Sequence, residues 1–206
     1  MKEILKNILD WLEPKVNYAD LRFVQTEEEN IEVEDGILSS YNVLTNRGVG
    51  MRVLADGAWG FAASNNLDKI SLLKTAAKAL DIARASALSK KEDIKLAPED
   101  KHIDTYTTPI IKDPFQVSPA EKIDLLAKST KVMLKDKVKK SEGSLSFYKT
   151  HKIFMSTEGS EVEQTIFESG GGIVAYVLAK GIFKNALILP VLEEIMLLEA
   201  MNLSRR

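Results

Sequence analysis

Val49-Gly50-Met51-Arg52-Val53-Leu54-Ala55-Asp56-Gly57-Ala58-Trp59-Gly60-Phe61 is the stretch on which the fold class turns. Val49, Met51 and Val53 alternate as a half-buried strand requires, Asp56-Gly57 follows, and Trp59 and Phe61 carry the extended pattern onward. Asp-Gly between alternating segments is a strong hairpin signal, because both central residues of a type I′ turn need positive φ. Upstream the same signature recurs. Ala19, Leu21 and Phe23 alternate with Asp20 and Arg22, and Ile31 and Val33 alternate with glutamates up to Asp35-Gly36. Residues 37–43 resume the extended pattern. Gly48, Gly50 and Gly60 inside these strands predict bulges or the close approach of another backbone.

Helices flank this block. Ile4, Leu5, Ile8, Leu9 and Leu12 recur at helical spacing until Pro14 stops them. Asn65-Asn66 is read as the cap of a helix from about Asp68 to Leu88, with Ile70, Leu73, Ala77, Leu80 and residues 83–87 turned inward. Residues 1–88 thus form an α+β unit of helix, about five strands, and helix. Residues 89–117, with Pro98, Pro109 and Pro114 and little periodicity, read as a linker. Ser118-Pro119-Ala120-Glu121 then opens a helix with serine as N-cap, proline at N1 and glutamate completing a capping box. Its inner face is Ile123, Leu126, Ala127, Thr130 and Leu134. Strands at 145–148, 152–156, 162–167 and 173–178 follow, separated by turns at Glu158-Gly159 and Gly170-Gly171-Gly172. Hairpins with flanking helices, and no strand-helix-strand alternation, predict an α+β fold with antiparallel or mixed sheets rather than a doubly wound one.

Composition narrows the chemistry. The 206 residues hold 28 Lys+Arg against 30 Asp+Glu, a net charge of −2, which supplies no general field for nucleic acid or an acidic membrane. With no cysteine there is no disulfide framework, thiolate zinc site or thiol nucleophile. Two histidines, His102 and His151, exclude a site of several imidazoles. The N-terminus mixes charges into its first turn, unlike a signal peptide, and the apolar run 182–198 is broken by Lys184, Asn185, Pro190, Glu193 and Glu194. The expected compartment is the cytoplasm.

Each candidate constellation has a plain structural reading. Gly170-Gly171-Gly172 lacks the Lys-Ser/Thr that a phosphate loop needs and is read as a turn or bulge. Glu27-Glu28-Glu29 with Glu32, Glu34 and Asp35 reads as a solvated strand face rather than a cation site. Lys131, Lys135, Lys137, Lys139 and Lys140 complement the dipole at a helix C-terminus and have no interleaved aromatics for base stacking. His102 falls in the linker, and His151 at a hairpin tip, Lys149-Thr150-His151-Lys152; both read as surface residues without a second ligand at metal spacing. No serine sits in a nucleophile elbow with a histidine to activate it. No residue is assigned a catalytic, cofactor-binding or metal-binding role.

Five runs carry a resemblance: Tyr18-Ala19-Asp20-Leu21-Arg22; Val33-Glu34-Asp35-Gly36; Arg47-Gly48-Val49-Gly50-Met51-Arg52-Val53; Gly57-Ala58-Trp59-Gly60-Phe61-Ala62; and Phe154-Met155-Ser156-Thr157-Glu158-Gly159-Ser160-Glu161-Val162-Glu163-Gln164, followed by Gly170-Gly171-Gly172-Ile173. In this order and spacing, over residues 18–181, the chain resembles the N-terminal domain of the TldD/PmbA family, with Trp59-Gly60-Phe61-Ala62 closer to the TldD branch. The resemblance implies a zinc metallopeptidase that pairs with a TldD/PmbA-like subunit, as homo- or heterodimer, and cleaves unfolded peptides, including maturing peptide toxins. The family's zinc-binding His-Glu-x-x-x-His motif and cysteine ligand lie in a later half of a longer chain, and this sequence has neither. The expectation is therefore an N-terminal, non-catalytic portion that binds no zinc itself and retains scaffold and peptide-docking surface. Its alternative is a non-catalytic partner subunit, or a peptide-binding module, working with a full-length relative. No nucleic-acid or membrane partner is implied.

After Lys180-Gly181 the resemblance stops. Reverse-translating residues 184–201 with permitted synonymous codons gives, in a neighbouring frame, a run beginning KRSYPSS, which resembles the Arg-Ser-Tyr-Pro segment of the family. Residues 182–206 are thus expected to be a non-family tail left by a frameshift, with residues 186–189 and 191–198 as a helix broken by Pro190.

Overall fold

The computed structural model describes residues 1–135, 137–179 and 182–188. Its elements are α1 (Lys2–Leu12), β1 (Tyr18–Glu34), β2 (Ile37–Ala55), β3 (Ala58–Ser64), α2 (Lys69–Ala87), β4 (Ile103–Thr107), α3 (Pro119–Met133), β5 (Val138–Ser156), β6 (Glu161–Ala179) and β7 (Ile182–Ile188). The described strands form one mixed sheet in the order β3-β2-β1-β5-β6-β4, with β7 also paired to β6. The fold is α+β, as the hairpin pattern requires.

Both Asp-Gly turns are present. Asp35 and Gly36 have φ of 52° and 82°, and Asp56 and Gly57 have 50° and 74°, the left-handed pair of a type I′ turn. The strands they join are longer than the sequence suggested. The predicted five strands of residues 1–88 are three, because the polar stretches 25–30 and 45–47 stay extended inside β1 and β2. A backbone ladder needs no apolar side chains, so loss of alternation did not mean loss of strand. The same holds for 145–148 and 152–156, which are one strand, β5. The expected turn at Gly170-Gly171-Gly172 is instead continuous strand within β6. A Cβ at Gly171 would stand 2.7 Å from the Ser144 carbonyl oxygen, so glycine there admits a close neighbouring backbone. The linker 89–117 contains β4, which pairs parallel to β6 with Ile103 opposite Glu161.

Two compact units are interleaved along the chain. The first comprises Met1–Thr26, Thr45–Thr108 and Thr150–Ile166; the second comprises Glu27–Leu44, Pro109–Lys149 and the described part of Phe167–Arg206. In the first, Leu5, Ile8 and Leu12 of α1, Leu21 and Phe23 of β1, Val49, Met51 and Val53 of β2, and Leu72, Ala76 and Ala79 of α2 make the core. Each large apolar side chain so buried is worth about 1.5–3 kcal/mol. The inward face of α2 matches the expected one at Leu80 and Ala83 and departs from it earlier in the helix, where Leu72, Ala76 and Ala79 are buried and Ile70 is 67% exposed. Apolar residues ring much of this helix, so two stripes fit the periodicity. Its cap is Asp68, whose carboxylate accepts from Ser71 N at 2.9 Å, and not Asn65-Asn66.

In the second unit, Ile31 and Val33 of β1, Leu126 of α3 and Leu145 and Phe147 of β5 form the core. The capping box is complete: Ser118 Oγ accepts from Glu121 N, and Glu121 Oε2 accepts from Ser118 N, both at 3.2 Å. Ser118→Ala is expected to cost about 1 kcal/mol in urea unfolding; an unchanged midpoint would mean that packing alone holds the start of α3. Residues 186–188, expected to be helical, are the end of β7, where Ala186 pairs with Ala175. Residues 189–206, the rest of the expected tail, lie outside the described residues.

Candidate docking edge and face

Strand β3 is built to be open on one side. It pairs with β2 in a register from Val49 opposite Ser64 to Ala55 opposite Ala58, and no other described strand pairs with it. Its far edge presents backbone donors and acceptors, and its seven residues carry no charge. Lysine, proline and inward charges, the usual devices that block an edge, are all missing.

The two faces of β3 differ. On one, Gly60 lets helix α2 come close; a Cβ there would lie 2.0 Å from Ala79 O and 2.5 Å from Ala83 N. Strand alternation puts Trp59, Phe61 and Ala63 on the other face, with their partners Leu54, Arg52 and Gly50. Phe61 is 60% exposed. Gly48 and Gly50, expected to mark bulges or close backbones, do not have the crowding of Gly60: a Cβ at Gly50 would meet only the Phe61 ring, at 3.6 Å. They leave an open trough of about 530 Å³ between Arg22, Val24, Ala63 and Asn65.

A buried carboxylate holds this face in shape. Asp20, which alternates with Ala19, Leu21 and Phe23 along β1, is 1% exposed. Arg52 donates to its Oδ2 from Nε at 2.8 Å and from Nη2 at 2.6 Å, and Arg22 Nε donates to Oδ1 at 3.2 Å. The Arg52 guanidinium lies 5.0 Å from the Trp59 ring centroid, Tyr18 meets Trp59 edge-on at 5.9 Å, and Arg22 lies 5.3 Å over Phe154. Burial, reinforced by Asp20, pushes the Tyr18 hydroxyl up to about 12, so it stays protonated. Beside this cluster a cavity of about 330 Å³ is lined by Tyr18, Arg52, Trp59, Glu158 and the 96–99 segment. Three of the five resemblance runs meet here. Ala19, Leu21, Val49, Met51, Val53, Ala58 and Ala62 of these runs are buried on one face of the sheet, and Arg22, Gly48, Gly50, Arg52, Trp59 and Phe61, with the buried Asp20 beneath the arginines, lie on the other.

Aromatic rings, a backbone edge and paired arginines are groups suited to holding an extended chain. The residues weighed from sequence lie elsewhere. His102 is exposed, and its backbone N donates to Ser160 Oγ. His151 is not at a hairpin tip; it sits within β5, 2.7 Å from Glu163 Oε1 and edge-on to Phe23 at 5.8 Å. Glu163, also paired with Lys2 at 2.8 Å, is held below the usual carboxylate range, by Lys2 first and His151 second. Glu32 and Glu34 are exposed as expected, but Glu29 is 4% exposed and pairs with Lys122 of α3. Lys140, of the basic cluster, bridges Glu34 at 3.1 Å and Glu142 at 2.7 Å, contacts that raise its pKa.

Among the described residues no three His, Cys, Asp or Glu side chains gather where they could hold a metal ion. His102 and His151 belong to no such group, so the donors a catalytic zinc needs are not brought together among the described residues. No helix of the described residues is long and apolar enough to cross a membrane.

Comparison with known proteins places these features in context. Residues 19–83 match the family described as PmbA/TldA metallopeptidase domain 1. The chain is 31% identical over 150 residues to a metalloprotease of Methanocaldococcus jannaschii, covering 73% of this chain and 33% of that one. It is 26% identical over 161 residues to a metalloprotease of Methanothermobacter thermautotrophicus, covering 78% and 34%. The chain thus spans about a third of the length of these curated relatives. Among solved structures, a proposed modulator of a DNA gyrase from Thermotoga maritima superposes with a TM-score of 0.69 at 19% identity, covering 90% of this chain and 42% of that one. TldE from Thermococcus kodakarensis superposes with a TM-score of 0.64 at 15% identity, with the same coverage. At these identities the likeness is one of fold.

Proposed function

We propose, from the premise that this chain carries an N-terminal domain of the TldD/PmbA family, that it is the non-catalytic, peptide-docking portion of a TldD-like metallopeptidase acting in the cytoplasm. The complete enzyme would use zinc to cleave unfolded peptides, with the metal donors supplied by sequence this chain does not contain and with a TldD/PmbA-like subunit as partner. Curated relatives named metalloproteases support the class of reaction.

The observation that carries the docking role is the open, uncharged edge of β3 beside the Trp59 and Phe61 face. An extended peptide added there would be held through its backbone, while the rings receive alternate side chains. That mode suits unfolded substrates, because every peptide has the same backbone and no fixed sequence is demanded.

The test is binding of an unfolded, fluorescent ten-residue peptide to the purified chain. A scrambled peptide is expected to bind within about threefold of the original, while one methylated on alternate backbone nitrogens loses at least about tenfold, as expected when main-chain hydrogen bonds dominate. Equal binding of the methylated peptide would overturn docking on the edge. Elemental analysis is expected to find no stoichiometric zinc; stoichiometric zinc with chelator-sensitive cleavage would overturn the non-catalytic reading.

A further inference from the structure

The face that carries Trp59 is not bare along its whole length. From the Asp56-Gly57 turn, residues 93–99 cross the strand ends and run on towards β4. They roof two cavities. One, of about 290 Å³, lies among Asn17, Leu54, Gly57 and Glu158; the other is the cavity of about 330 Å³ beside Tyr18, Arg52 and Trp59. Leu96 lines both and so stands between them. The crossing is fastened at its ends. At the near end Ile94 N donates to Gly57 O at 3.0 Å, while Lys90 donates to Asp56 O and pairs with Asp93 at 2.6 Å. At the far end His102 N donates to Ser160 Oγ at 3.0 Å, and Glu161 N donates to His102 O at 2.8 Å. Among the described residues, no backbone hydrogen bond ties 95–101 to the rest of the chain. Every residue from 93 to 101 is exposed, Leu96 by 41%. A segment with so few buried contacts opens at little cost.

We infer that residues 94–99 are a displaceable strap, an internal occupant of the docking face that lifts when an extended peptide takes its place. The inference rests on the docking role proposed above and adds its regulation. The strap has the chemistry that the face would take. Ile94 already joins the β2–β3 turn through its backbone, as an incoming strand would. Leu96 brings an aliphatic side chain to the cavity walled by Tyr18 and Trp59, where a side chain of the peptide would sit. Pro98 has no N–H to donate, which leaves one bond fewer to hold the strap down. A peptide with a full set of N–H groups makes ladder bonds that the strap lacks, and that difference is what lets it displace the strap. A closed strap lowers apparent affinity by the fraction of chains in which it is open, a cost that weakening the strap removes.

Leu96→Gly/Pro98→Gly in the full chain tests this with the fluorescent ten-residue peptide, made free of lysine and arginine. Binding is expected to tighten at least about fivefold, as when a binding-competent state passes from minor to main population. Both positions are exposed, so folding should survive, as an unchanged melting temperature would verify. The second measurement needs no substitution. Trypsin has to take the segment in lifted, extended form to cut after Lys95. Saturating peptide is therefore expected to speed that cut at least about threefold, read by mass spectrometry. Unchanged or weaker binding by the double variant would overturn the strap, as would a cut at Lys95 that the peptide leaves alone or slows. Those results would leave docking on the β3 edge standing, since that reading is tested by the backbone-methylated peptide. Failure of the peptide to bind either chain would overturn both.

Discussion

Gly60→Ala is expected to destabilise the protein by about 3 kcal/mol, lowering the melting temperature by roughly 6–12 °C for a chain of this size. The added methyl would overlap Ala79 O at 2.0 Å and Ala83 N at 2.5 Å. Both are helix backbone atoms, so no side-chain rotation relieves the clash, and α2 or β3 has to shift. Gly50→Ala, on the neighbouring strand, is the internal control. Its methyl would find only two Phe61 ring carbons at 3.6 Å, an ordinary contact, and its effect should stay within about 0.5 kcal/mol. The pair separates steric crowding from the general cost of replacing glycine in a strand. If the two variants melted together, the close approach of α2 to β3 would be wrong, and with it the geometry that turns Trp59 and Phe61 outward. Gly60→Ala should also weaken peptide binding more than Gly50→Ala, since it disturbs the strand whose edge is proposed to dock.

Much of this architecture is legible in short-range pattern. The Asp-Gly pairs, the serine capping box and the alternation of Val49, Met51 and Val53 each depend on residues within a few positions of one another. Gly60 was legible too, as a glycine inside a strand. Strand length was not, because Gln25 to Asn30 and Thr45 to Arg47 keep their extended backbone through pairing with distant segments that no local pattern reports. Strand order has the same origin, so the open edge of β3 could not be located beforehand. β4 was hidden differently: all five of its residues are exposed, and it has no buried face to leave a period. Glu29 was misplaced because charge was read as exposure. Yet Glu29 lies two and four residues from Ile31 and Val33, on the same strand face, and Lys122 lies four residues before Leu126 on the inner face of α3. Periodicity gave both away, and composition argued against it.

That pair underlies the other large effect. Lys122→Met is expected to cost about 3–5 kcal/mol in urea unfolding at pH 7, the penalty for leaving one member of a buried ion pair alone. Lys122 Nζ lies 2.5 Å from Glu29 Oε2, with side-chain exposures of 6% and 5%. Its ammonium also sits 4.6 Å from the Phe147 ring centroid and 5.9 Å from that of Phe115. Methionine matches the lysine stem in length and can keep the ring contacts, so nearly all of the loss would come from the stranded carboxylate. Glu29 is poorly placed to bear it, because its Oε1 already accepts no hydrogen bond. The double change Glu29→Leu/Lys122→Met should then recover to within about 1 kcal/mol of the parent, since two charges are removed from a low-dielectric interior together. A double variant as unstable as the single one would show that shape at this junction of β1 and α3 matters more than charge. A single variant as stable as the parent would show that Glu29 reaches water, and that its apparent burial is not how the folded protein holds it.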